Sequence, residues 1–363
     1  METGSTTPQS LNHSTTHPTN NCDLYEHEDS ARILLPAFYS LIFIIGVPGN
    51  VLALIVVIKN RKKINSTTLY STNLVVSDLL FTTALPARIT YYAMGFHWPF
   101  GEELCKLTAL IFYINIYAAV NFMTCLSIDR FVAVVHPLRT RIRTVRCAAY
   151  ICCSVWFLVL AQTLPLVTLN MSHEEGKRNT CMEYPNFEKI PNLPWMLLGA
   201  CLLGYIIPLG ITLVCYSKIS CRLYQKAKKN PLAEKSGTNR KAINTIIFII
   251  VVFIVCLTPY HVAIIKHMIM KIIFGDDSLE CSVKQVFQKT LHYTVFLMNL
   301  NCCLDPLIYF FACRGYKSTI MKILRRQGSI SLSSVARTAH EESSRDIGDA
   351  HMSNVTTSLN GKR

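Results

Sequence analysis

Charge is scarce in this chain, and acidic charge scarcest of all. Asp, Glu, Lys and Arg make up 16% of its 363 residues, against about a quarter in a typical soluble domain. Too few remain to coat a soluble surface. The 22 acids stand against 36 bases, a positive surplus that in a soluble protein would point to nucleic acid. Soluble-enzyme signatures are missing too. There is no Gly-x-Gly for a dinucleotide loop, no phosphate loop and no Gly-x-Ser-x-Gly elbow. His27-Glu28, His173-Glu174 and His340-Glu341 each lack the second histidine of a zinc-protease helix, with Ala31, Lys177 and Ser344 in its place. No Cys-x-x-Cys occurs among the 15 cysteines, so no metal centre and no enzyme is expected. Residues 1–32 hold no apolar stretch of a cleavable signal, which leaves insertion to the first span.

What the chain has is apolar length. Runs of about the 20 residues needed to cross a bilayer occur seven times, at 33–58, 69–94, 104–135, 148–169, 195–216, 243–270 and 286–311. Pro48, Pro86, Pro165, Pro208, Pro259 and Pro306 fall within them, tolerable in lipid because neighbouring groups re-satisfy the freed carbonyls. The expected fold is all-α, a bundle of seven transmembrane helices over residues 33–312. Loop charge sets its direction. One set of loops carries 21 bases and a single acid, Glu234; the opposite set carries six bases and fourteen acids. The positive-inside rule makes the first set cytoplasmic, with the amino terminus (1–32) outside the plasma membrane and the carboxyl terminus inside. The basic surplus then reflects topology and not a nucleic-acid partner.

Only Cys22, Cys105, Cys181 and Cys281 fall on the outer face, where disulfides form. Four cysteines allow three pairings. Cys105 with Cys181 would tether the longest outer loop over the bundle, and Cys22 with Cys281 would tie the amino terminus to the last outer loop; this is the arrangement carried forward. Asn12 and Asn170 head outward-facing sequons for N-glycans, whereas those at Asn65 and Asn354 face the cytosol and are expected to stay unmodified.

A charge at the bilayer centre costs about 2.5–3.5 kcal/mol, so polar residues retained there need a reason. Asp78 lies mid-span in the second run and Asp305 near the inner end of the seventh, with Asn50, Asn115 and Asn301 at comparable depth. Brought together they would form a hydrated pocket able to hold Na+; the alternative is hydrogen bonding that only joins helices. At the cytoplasmic end of the third run stands Asp129-Arg130-Phe131, taken alone readable as an interfacial anchor.

One motif per run, in order, these residues resemble the rhodopsin-like (class A) family of G-protein-coupled receptors. The motifs are Gly49-Asn50, Asp78, Cys105 ahead of Asp129-Arg130-Phe131, Trp156, Pro208 with Tyr216, Cys256-Leu257-Thr258-Pro259, and Asp305-Pro306-Leu307-Ile308-Tyr309. The resemblance covers residues 33–326. It implies that Arg130 swings toward a G protein on activation and that Asp129 restrains it at rest. It also implies that Tyr216 and Tyr309 rearrange beside it, and that the sixth and seventh helices move about Pro259 and Pro306. The chain departs from the family pattern at Phe131, Leu257 and Asp305, and at Asn239, where some members carry a glutamate. The expected consequence is a weakly locked resting state with measurable basal signalling.

Phe112 stands where amine receptors carry aspartate, and Asn299 where opsins carry lysine. Ala109, Ile264 and Val295 stand where nucleotide receptors carry bases. The outer half keeps Phe112, Tyr113, Tyr117, Tyr260 and His261, with Arg88 above Pro86. An apolar cavity with a few hydroxyl partners suits a rigid lipid with polar ends. Residues 60–75, 91–96, 121–130, 180–187 and 258–265 are similar to the oxysterol-binding members of the family found on lymphocytes. That resemblance implies a dihydroxylated oxysterol agonist, of the 7α,25-dihydroxycholesterol type, at Arg88, Tyr113, Tyr117 and Tyr260. It further implies coupling to inhibitory G proteins, arrestin recruitment and directed migration of immune cells. A chemokine-like peptide receptor is the alternative, on the acidic amino terminus and the Cys22/Cys281 pair. A transporter is more remote, since no half-to-half repeat is visible.

Residues 313–326 alternate apolar with basic side chains, as an amphipathic eighth helix on the cytoplasmic leaflet would. Residues 327–363 read as a disordered tail, with Ser329, Ser331, Ser333 and Ser334 as phosphate acceptors for receptor kinases and arrestin.

Overall fold

The computed structural model describes residues 22–61, 64–175, 178–187, 190, 192–229, 237–275 and 279–312. Asn12, the eighth helix at 313–326 and the tail serines lie outside the described residues, as do the side chains of Asn239 and Tyr309.

Among the described residues seven long helices form: α1 (Glu28–Lys59), α2 (Ser66–Ala93), α3 (Gly101–Val135), α4 (Val145–Thr163), α5 (Leu193–Cys201, a π turn at Leu202–Ile206, then Ile207–Lys229), α6 (Gly237–Val252, a π turn at Phe253–Leu257, then Thr258–Phe274) and α7 (Cys281–Asn299 and Asn301–Ala312). Several outrun their apolar runs because polar residues favour the helix ends. Glu28 and Asp29 open α1, and Glu102 and Glu103 open α3, each at the positive end of a helix dipole. Asn65 caps α2 by accepting from the Thr68 N–H at 2.9 Å.

Among the described residues five spans are long and apolar enough to cross a membrane: Glu28–Lys59, Gly101–Val135, Val145–Thr163, Leu193–Gln225 and Ile246–Phe274. The second and seventh runs, expected to span as well, fall short of that measure. α2 carries Asp78, Arg88 and a row of serines and threonines, and α7 carries Gln288, Lys289 and His292 before it turns at Leu300. Asp78, Arg88, Gln288 and His292 are buried, so the bundle interior, rather than lipid, receives them. At its centre α3 packs against α2, α4, α5 and α6. It buries 72% of its apolar window, against 28% for α1 and 22% for α4. The outward faces of those two present side chains such as Ile44 and Phe157, the surface a hydrocarbon solvent accepts.

Pro208 and Pro259 each stand two positions past the end of a π turn. A proline ring collides with the carbonyl four residues back and offers no N–H; the extra residue of a π turn absorbs that misfit. The two turns meet, with the Tyr205 and Thr258 hydroxyls 2.6 Å apart. On the other side of the bundle α1 and α7 approach closely at small residues: a Cβ added to Gly49 would lie 3.1 Å from Pro306 Cγ, and one on Gly46 equally close to Cys302 Sγ.

Both expected disulfides are present, Cys105–Cys181 and Cys22–Cys281. The first pins an antiparallel hairpin, β1 (Ser172–Glu175) with β2 (Arg178–Cys181), to the first turn of α3. There the Glu102 carboxylate accepts from the N–H groups of Met171 at 2.8 Å and Ser172 at 2.7 Å. The second draws residues 22–27 onto the same end, where Tyr25 packs on Phe96 and Arg178 pairs with Glu28 at 2.8 Å.

Candidate functional site

Beneath the hairpin, in the disulfide-bearing half, lies a cavity of about 240 Å³. Its walls are mainly apolar, with Ile116, Leu197, Ile264, Leu291, Val295 and Met298 among them. Arg88, Tyr113, Tyr117 and Tyr260 bring polar tips, and Phe112 adds a ring. Arg88 is 4% exposed. It donates from Nη1 to the Cys181 carbonyl at 3.0 Å and from Nη2 to the Tyr92 hydroxyl at 2.5 Å. Its guanidinium lies 4.8–5.6 Å from the ring centres of Tyr91, Tyr92 and Phe112, a desolvated cation-π cage. Arg88 Nε and Gln162 Oε1, both on residues lining the cavity, are buried without a hydrogen-bond partner among the described residues.

Glu183, two residues past Cys181, is the anionic counterpart at 2% exposure. Its Oε1 accepts from the Tyr91 hydroxyl at 2.7 Å, and its Oε2 accepts from Gln288 at 2.6 Å and His292 Nε2 at 2.8 Å. Burial alone would raise its pKa. The His292 imidazole, the Arg88 charge and the Tyr91 hydroxyl outweigh burial and hold it below the usual carboxylate value. The other His292 nitrogen, Nδ1, stands 2.8 Å from His27 Nε2. One hydrogen-bonded chain thus joins the amino-terminal segment, α7 and the loop roofing the cavity.

Burial, seconded by His292, lowers the His27 pKa from 6.5 to about 4. In the unfolded chain the imidazole titrates near its ordinary value. Between these limits the unfolded state binds the extra proton, so stability falls as the pH is lowered through the window and is fully present above it. Thermal unfolding of the purified protein is expected to show this decline and His27→Gln to flatten it; an unchanged slope in the variant would contradict the assignment.

Below the cavity the buried amides and acids of the middle layer come together. Asn115 donates to Asp78 Oδ1 at 2.9 Å, and Asn50 donates to the Cys302 carbonyl at 2.9 Å. Asp305, fully buried, lies within electrostatic reach of Asp78. Among the described residues Asn50 Oδ1, Asn115 Oδ1 and Asn301 Oδ1 have no hydrogen-bond partner, and the Asp78 and Asp305 carboxyls face each other within hydrogen-bonding reach. These amide and carboxyl oxygens are the donor set of a hard cation.

At the end away from the disulfides Asp129 is held from four sides. Ser66 donates at 2.6 Å, Thr67 at 2.7 Å, Arg130 at 2.6 Å and Arg143 at 3.1 Å. Arg130 also bonds the Thr67 hydroxyl, so its guanidinium is turned toward α2. Tyr216 packs with Phe131 around Ile219, Leu223 and Ile246.

A model of the seven-transmembrane receptor family of the rhodopsin type matches residues 49–309. The chain belongs to the rhodopsin family of seven-transmembrane receptors. It is 60% identical to the G-protein coupled receptor 183 of Mus musculus over 363 residues, the whole of both chains. The identity is 64% to that of Bos taurus over 343 residues and 62% to that of Homo sapiens over 344, each covering 94% of this chain and 95% of the relative. The protein is therefore a G-protein-coupled receptor of this type: a multi-pass plasma-membrane protein that takes a ligand and a G protein, and not an enzyme.

Of the receptor's six expected ligand residues, the fold brings Arg88, Phe112, Tyr113, Tyr117 and Tyr260 to one cavity. His261 is not among its lining. Its ring stacks on Tyr205 at 4.0 Å and its Nδ1 lies 2.7 Å from the Leu257 carbonyl, so it faces α5. Sequence reasoning missed Glu183, His292, His27 and Gln162. An acid two residues after the loop cysteine was the one local signal, and it was counted among the solvated charges. Ser66, Thr67 and Arg143 were missed as partners of Asp129; the sequon at Asn65 instead supplies a helix cap and two hydroxyls for that carboxylate.

Proposed function

We propose that the receptor binds a dihydroxylated oxysterol in the cavity of the disulfide-bearing half and signals through inhibitory G proteins to direct immune-cell migration. The observation that carries this reading is an apolar chamber whose lining keeps an unpartnered donor, Arg88 Nε, and an unpartnered acceptor, Gln162 Oε1. Unpaired buried polar atoms are costly, and a rigid apolar ligand with two hydroxyls would satisfy both. Tyr113, Tyr117 and Tyr260 supply further hydroxyls and ring faces. In this reading the disulfide end and residues 1–32 face outward, with glycans on Asn12 and the exposed Asn170. Residues 313–326 lie on the cytoplasmic leaflet, and the tail serines recruit arrestin once receptor kinases modify them.

Arg88→Ala is expected to weaken binding of a radiolabelled oxysterol by roughly 10- to 100-fold, the worth of a charge-assisted hydrogen bond. Tyr260→Phe is expected to weaken it by roughly 5-fold, at unchanged surface expression. Undiminished binding in both variants would displace the ligand from this cavity.

The acid-amide layer is proposed to hold Na+ in the resting state. Raising sodium at constant ionic strength is then expected to weaken agonist binding, and Asp78→Asn to remove that effect; a sodium response equal in wild type and variant would leave the layer as helix-joining hydrogen bonds alone. Among the described residues Arg130 has no ion pair with α6, which supports measurable basal signalling.

A further inference from the structure

A second groove, of about 310 Å³, opens between the disulfide-end halves of α6 and α7, and its residues are distinct from those of the cavity. Lys266, Val286 and Thr290 on its rim are exposed. Its floor is a pair of rings, His267 on Phe287, stacked 3.6 Å apart and nearly parallel at 2°. Tyr184 sits edge-on to both, at 5.3 and 5.0 Å, and itself lines the cavity, so the two chambers share a wall.

Lys266 is the one lysine or arginine in the lining, and among the described residues no carboxylate lines the groove or pairs with it. It precedes the last residue of its helix segment, Phe274, by eight positions, about 12 Å along the axis. The apolar span Ile246–Phe274 outruns a hydrocarbon core about 30 Å thick by roughly 12 Å, which sets Lys266 near the boundary between hydrocarbon and headgroups. An ammonium there reaches toward the interface on its flexible stem and favours an anion arriving through the lipid. A phosphate rides above this level and calls for a second cation, which the lining lacks. A carboxylate sits lower and needs one.

We propose that the groove is a binding site for a fatty acid carboxylate, with the carboxylate paired to Lys266. Its first methylenes lie on Val286 and Phe287, and the chain runs inward past Ala263. The proposal does not depend on the identity of the ligand in the main cavity. The test uses full-length receptor in phosphatidylcholine nanodiscs, a palmitate carrying a photoreactive diazirine, and mass-spectrometric mapping of the label. Label is expected on segments 263–270 and 281–290, displaced by oleate and not by oleyl alcohol. It should fall about 10-fold in Lys266→Gln, as loss of a charge-assisted contact implies, and persist in Lys266→Arg. Label that Lys266→Gln leaves unchanged, that oleyl alcohol displaces as well as oleate, or that avoids both segments would overturn the proposal.

Discussion

Arg130→Ala is expected to lower agonist-driven nucleotide exchange on the G protein by roughly 100-fold, about 2.7 kcal/mol of lost coupling, while agonist binding stays as in wild type. Arg130 lies on α3, the helix that packs against four others, and is bound to Asp129 and Thr67. Asp129→Ala should act in the opposite direction. It removes an acceptor serving two hydroxyls and two guanidinium groups, each charged contact worth about 1.5–3 kcal/mol. Releasing the Arg130 contact alone would shift the resting equilibrium by roughly 10-fold or more toward the active form, read as ligand-free exchange in membranes. Equal basal rates in Asp129→Ala and wild type would show that the restraint lies elsewhere.

The second large effect is on stability. Glu183→Ala leaves the Arg88 guanidinium and the His292–His27 pair without their buried anion, and breaking such a set by removing one partner costs about 3–5 kcal/mol. Thermal unfolding of purified receptor should show the loss. Glu183→Gln, which keeps an acceptor for Tyr91 but sets an amide NH2 where Oε2 accepts from Gln288 and His292, should show a smaller one. A Glu183→Ala protein as stable as wild type would mean that water, and not these side chains, balances the network.

The fold was legible where chemistry is local. Apolar length announced the helices, and the two sides of the membrane sorted fifteen cysteines until four remained, which are joined as expected. The family resemblance singled out Arg88, Tyr113, Tyr117 and Tyr260, which the fold brings to one cavity; Tyr113 and Tyr117, one turn apart, share a helix face. The Glu183 network was not legible. Its members come from a loop, the amino-terminal segment and α7, up to 265 positions apart, and a loop carboxylate reads as solvated until tertiary structure buries it. His261 is directed elsewhere: one position after Tyr260 it lies about 100° further round the helix, so it meets Tyr205 on α5 while Tyr260 faces the cavity. The unequal apolarity of α2 and α7 has the same root, since their polar side chains find one another inside the bundle and not in water.

The central claim, a receptor whose apolar cavity is filled by a dihydroxylated sterol, is tested most directly by one signalling screen. Cells lacking endogenous response are given the receptor, then a panel of oxysterols and a panel of chemokines, with inhibition of cyclic AMP formation as the readout. The account predicts a saturable response to dihydroxylated oxysterols, weaker or absent with singly hydroxylated sterols, and none with any chemokine. A chemokine response without an oxysterol response would contradict it.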